Sequence, residues 1–126
     1  MNSRWFAAGA FLMALGVAAG AFGAHGLEGH VSQMELAAFR TAAQYHMYHA
    51  LVLLAVAWRA EKYPNARPIA LAGWGFNIGI VLFCGSLYVL GVTGSRALVL
   101  LTPMGGLAFM TGWAALALSA LGIGKA

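Results

Sequence analysis

The chain has 126 residues, of which 62% are hydrophobic and only 8% charged, and seven basic against three acidic side chains leave a formal charge of +4. Soluble domains carry about 25% charged residues and small ones bury the smallest fraction of their surface, so this composition excludes a water-soluble globular enzyme. The basic residues sit at the ends of apolar runs and form no patch, which argues against nucleic acid as a partner and for the lipid bilayer.

Ten charges divide the sequence into uncharged windows at 5–27, 41–58, 68–95 and 97–124. A helix needs about 20 residues to cross a bilayer, so the expected fold is all-α: one domain spanning 1–126, an integral membrane bundle of four transmembrane helices. The first helix is expected at about 5–24. Its small residues near Ala21-Phe22-Gly23-Ala24 resemble a signal-peptide cleavage region, but the apolar run exceeds the 7 to 15 residues of a signal core. A retained helix is therefore expected. Gly16, Gly20 and Ala24 recur every four residues, a small-residue stripe that lets a neighbouring helix come close.

His25-Gly26-Leu27-Glu28-Gly29-His30 reads as a polar turn, after which Ser32 and Glu35 stand at capping-box spacing, with Val31 and Leu36 placed as a hydrophobic staple. The second helix then meets no breaker until Tyr63-Pro64 and is expected at 33–62, about 45 Å long at 1.5 Å per residue. That exceeds a hydrocarbon core of about 30 Å, so its first turns extend beyond the outer membrane face. Pro64-Asn65-Ala66-Arg67-Pro68 is a turn, and Pro68 suits the first position of a third helix expected at 68–91, where Gly75 and Gly79 form another close-packing pair. Thr102-Pro103 reads as a cap followed by proline, which places the fourth helix at 103–122 with Ala97 to Leu101 in the outer interface. The competing reading is a helix from Arg96 kinked at Pro103.

With four crossings, Arg4, Arg59, Lys62, Arg67 and Lys125 fall on one side and Arg40 and Arg96 on the other. The positive-inside rule then puts both termini in the cytoplasm. Cys84 is the only cysteine, so no internal disulfide can form.

The one chemical constellation lies on the outer side. His25, Glu28 and His30 occupy the first turn, Glu35 opens the second helix, and His46 and His49 follow one turn apart on it. Two histidines at i and i+3 can share a zinc or copper ion if His25, Glu28 or Glu35 completes the set, and haem or quinone can also use a histidine at this depth. The pattern lacks the spacing of a zinc-protease motif and has no thiolate near it. The simpler reading is interhelical hydrogen bonding by His46 and His49, with no metal and no cofactor. Ser86 has no acidic partner in its window, which argues against nucleophilic catalysis.

Gly20-Ala21-Phe22-Gly23-Ala24-His25-Gly26-Leu27, Gln44-Tyr45-His46-Met47-Tyr48-His49-Ala50-Leu51, Gly85-Ser86-Leu87-Tyr88, Thr102-Pro103-Met104-Gly105-Gly106 and Gly112-Trp113 stand in one order along the chain. In these blocks it resembles the small inner-membrane family called domain of unknown function 423, also uncharacterised protein family 0382, and is similar to transmembrane protein 256. The resemblance implies a four-helix integral membrane protein and carries no catalytic residue to transfer. Three functional classes follow, in descending order. The first is a structural or accessory subunit that packs as a homo-oligomer or within a larger membrane complex through Gly/Ala seams. Next comes a metal, haem or quinone protein using the outer histidines. An oligomeric transporter or channel ranks last, because Glu28, Glu35 and Glu61 all lie at or beyond window edges.

Overall fold

Apolar periodicity and helix punctuation dictate four helices, and the computed structural model, which describes residues 3–122, contains them in antiparallel succession. The first, α1, is α-helical over Ser3–Phe22 and continues through one π-helical turn, Gly23–Leu27. The second, α2, runs Gln33–Lys62, at the expected bounds. Ser32 caps it: the Glu35 amide donates to the Ser32 hydroxyl oxygen at 3.1 Å, and that hydroxyl donates to the Glu35 carboxylate. Glu35 thus answers the hydroxyl of Ser32 and not its amide. Val31 packs with Leu27, Leu36 and Phe39, completing the staple.

The third helix, α3, spans Arg67–Thr93. It is α-helical over Arg67–Gly79, π-helical over Ile80–Cys84 and α-helical again over Gly85–Thr93. Gly94 ends it in the left-handed conformation at φ 71°, returning its amide to the Leu90 carbonyl; only glycine adopts this geometry without strain. A turn over 97–100 leads into α4, Leu101–Ala120. This helix begins two residues before the expected Pro103, and Thr102 does not cap it. The preceding turn is followed directly by helix, Pro103 falls within the first turn where no amide partner is lost, and the Thr102 hydroxyl instead bonds Ser86 on α3.

By length and composition α1, α3 and α4 are each apolar enough to cross a membrane. Helix α2 carries charges at both ends, yet it packs along the whole of α1: Gly9 lies against Ala50 and Leu53, Gly16 against His46 and Met47, and Gly23 against Phe39. It therefore crosses at the same depth, through its uncharged stretch 41–58. Helix α2 also packs on α3, and α4 packs on α3 while reaching His49 of α2 through Phe109 and Trp113. Phe76, Leu53, Val56, Ile69 and Cys84 form the buried centre.

The seam on α1 differs from the expected one. Trp5, Gly9 and Gly16 are buried, Leu12 and Ala19 half-buried, and Gly23 buried again, a 4-3-4-3-4 spacing that is the heptad repeat of coiled coils. Gly20 lies off this stripe, and a Cβ there would meet nothing within 4 Å. Between α3 and α4, Gly75 faces the Ala108 carbonyl and Gly112 backbone, Gly79 sits under the Phe109 ring, and Gly105 abuts the Phe83 backbone. Small residues replace side-chain layers here so that backbones approach directly.

Candidate functional site

Each polar group inside a hydrocarbon span needs a protein partner, because lipid supplies none. Helical spacing sends His46 and His49 to different neighbours. The His46 Nδ1 and the Tyr88 hydroxyl of α3 share a hydrogen bond of 2.7 Å, while the buried Nε2 has no hydrogen-bond partner among the described residues. His49 donates from Nδ1 to the Tyr45 carbonyl at 2.7 Å and accepts at Nε2 from the Trp113 indole N–H of α4 at 3.1 Å. A carbonyl only accepts and an indole N–H only donates, so these two bonds define the neutral Nδ1–H tautomer of His49. Its ring stacks on Phe109 with centroids 3.6 Å apart and planes 10° apart.

The five weak metal candidates are not gathered. His25 is exposed on the π-helical turn, and Glu28 accepts from Arg40 at 3.4 Å in an exposed ion pair. Glu35 is engaged with Ser32, and the two α2 histidines lie deeper, level with Gly16 of α1 and with Phe76 and Trp113. Among the described residues no three of His, Cys, Asp and Glu are placed to hold a metal ion. The expected gathering at the outer end fails because each turn of α2 advances about 5.4 Å, which carries His46 and His49 toward the bundle centre while His25 stays at the loop.

What the tertiary structure does assemble is an aromatic groove between α2 and α4, of about 620 Å³, walled by Tyr45, Tyr48, Phe83, Phe109, Met110 and Trp113, with His49 at its base. Sequence reasoning missed Phe83, Phe109 and Trp113. No periodicity links residues 49 and 113, and the only advance signal was the cluster of Gln44, Tyr45, His46, Tyr48 and His49 within the uncharged span 41–58. Phe83 belongs to the π-helical stretch of α3, and Ser86, just beyond that stretch, donates to the Phe83 carbonyl at 2.9 Å. At the opposite end, Arg59 donates to the Ser119 carbonyl at 2.8 Å, placing a cation on the C-terminal carbonyls of α4.

Three apolar spans joined to a fourth, more polar helix, with paired histidines inside, define a four-helix integral membrane protein. Its chain belongs to the family described as protein of unknown function (DUF423), whose model matches residues 19–106. It is 47% identical over 113 residues to the UPF0382 membrane protein YwdK of Bacillus subtilis, covering 90% of this chain and 92% of that one. A UPF0382 membrane protein of Staphylococcus haemolyticus is 40% identical over 111 residues, covering 88% and 89%. One from Haemophilus influenzae is 41% identical over 101 residues, covering 80% of each chain. No solved structure matches the chain.

Proposed function

We propose that this protein is a small structural or accessory subunit of the cell inner (plasma) membrane, acting by helix packing and not as an enzyme, either with further copies of itself or within a larger membrane complex. The outward face of α1 carries this reading. Ala7, Ala10, Ala14, Val17, Ala21 and Ala24 are all exposed and repeat with the same three-and-four spacing as the buried seam on the opposite side. Alanines on a lipid-exposed stripe leave the backbone open to close approach by another helix. Scarcity of carboxylates supports the same reading over proton-coupled transport, since Glu28, Glu35 and Glu61 lie near helix ends.

The test is assembly size in mild detergent. Wild-type protein is expected in a particle larger than the 13.1 kDa single chain, and an Ala7→Leu, Ala14→Leu, Ala21→Leu variant is expected to lose that assembly while melting at the same temperature. An unchanged particle in the triple variant overturns the reading.

For orientation, Arg4 of α1, Arg59 and Lys62 of α2 and Arg67 of α3 share one end of the bundle, with Arg96 in the turn at the other; Lys125 lies outside the described residues. We place the first group, and both termini, in the cytoplasm. A C-terminal alkaline phosphatase fusion, active only outside the cytoplasm, should be inactive; activity reverses the assignment.

A further inference from the structure

We propose that the groove between α2 and α4 is a binding site for a lipid-soluble quinone, entered sideways from the bilayer. Its about 620 Å³ falls within the range of small-molecule sites, and exposed Tyr48, Met110 and Trp113 place its mouth on the lipid-facing surface.

Shape selects a flat ring. Tyr45, His49 and Phe109 lie at 19° between the first two, 10° between the last two and 29° between Tyr45 and Phe109; His49 and Phe109 are buried against each other, and Tyr45 is open to the groove, as is Trp113. Two hydrogen bonds lock the middle ring in place. A conjugated ring gains offset stacking on such a wall that a saturated acyl chain does not. Nor do the walls suit a docking helix, since close helix approach needs a stripe of small residues and Gly106 is the one small residue in the lining.

The polar atoms select carbonyl acceptors. The Tyr48 hydroxyl accepts from the Gln44 amide at 2.6 Å, which leaves its own proton unused, and the Tyr45 hydroxyl makes no hydrogen bond among the described residues. These two phenols, with ring centroids 6.1 Å apart, are half-exposed donors within a membrane span, where an unanswered O–H is unfavourable. A planar ring bearing carbonyl oxygens answers both requirements together. The π-helical stretch that carries Phe83 into the groove fits this assignment, because such insertions interrupt a helix at an energetic cost and recur at functional sites. This site is separate from the alanine stripe on α1, so each can fail without the other.

The experiment uses the full chain in phosphatidylcholine vesicles with a decyl-substituted 1,4-benzoquinone as probe, read by quenching of tryptophan fluorescence, Trp113 being in the groove wall. Saturable quenching is expected, together with at least tenfold weaker displacement by decylbenzene, which has the tail and a ring but no carbonyls. Gly106→Leu fills the groove, and a Cβ at that position meets only the Phe83 ring edge at 4.0 Å, so the fold should survive while affinity falls at least tenfold. A Tyr45→Phe, Tyr48→Phe variant keeps the walls, removes both donors, and should weaken the quinone about tenfold without changing decylbenzene. Quenching that never saturates, equal displacement by decylbenzene, or unchanged affinity in folded Gly106→Leu protein overturns the proposal. A Gly106→Leu variant that alters assembly size and leaves quenching intact overturns it too, by making the groove a helix interface.

Discussion

At His49 the surroundings leave one arrangement of protons, and that arrangement ties α2 to α4. Among the described residues the Trp113 N–H has this one acceptor and the His49 Nε2 this one donor. Interhelical hydrogen bonds of this kind in membranes contribute about 0.6 kcal/mol on average and up to about 1.7. A double-mutant cycle with His49→Leu and Trp113→Phe should therefore return a coupling in that range when unfolding is measured in mixed micelles. Additive single effects would show that the stack on Phe109, and not the hydrogen bond, holds the ring. The Glu28–Arg40 pair is a contrast: both side chains are more than half exposed, at 58% and 55%, and water screens them. Glu28→Gln should change stability by less than about 1 kcal/mol.

Helix α1 shows why a stripe of small residues has to be assigned to a face before it means anything. Its glycines and alanines are compatible with a period of four through Gly16, Gly20 and Ala24, or a period of seven through Gly9, Gly16 and Gly23; contact with α2 follows the second. A Cβ on Gly9 would come within 2.8 Å of the Ala50 carbonyl oxygen, which belongs to the backbone and cannot swing aside. Gly9→Ala should thus cost about 1 to 3 kcal/mol, the usual range for overpacking. At Gly20 the space is open, so Gly20→Ala should be neutral within about 0.5 kcal/mol. Thermal melts of the two variants side by side separate the periods. The π-helical stretch of α3 sets a comparable limit on α4: Gly105 abuts the Phe83 backbone, and Gly105→Ala should force the two helices apart and lower the melting temperature more than Gly106→Ala.

On the scale of the whole bundle, Cys84 reports whether the helices stay together. It sits fully buried at 0% exposure in the π-helical stretch, within the core that α2, α3 and α4 share. A maleimide added to the folded protein should not label it over hours, and labelling should appear together with the loss of helical signal on denaturation. Rapid labelling at full helicity would reveal a bundle whose helices part around α3 without unwinding.

Hydrophobic windows, the Ser32 and Glu35 capping pair and the charges at window edges are local properties, and from them alone the class of protein, the number of helices and the bounds of α2 could be read. Residues such as Tyr63-Pro64 end a helix wherever the rest of the chain goes, because a missing amide and a fixed φ act within one turn. Register between helices is different. Which α1 stripe is buried, where α4 begins, and whether His46 meets Tyr88 and His49 meets Trp113 depend on how neighbouring helices slide and rotate against each other. That is decided by the summed fit of many weak contacts across residues distant in sequence, and a chain this rich in Gly and Ala offers several stripes of similar local merit. The histidines were visible in the sequence, but the groove was not: its walls come from three helices, and only their packing brings Tyr45, Phe83 and Trp113 to one place.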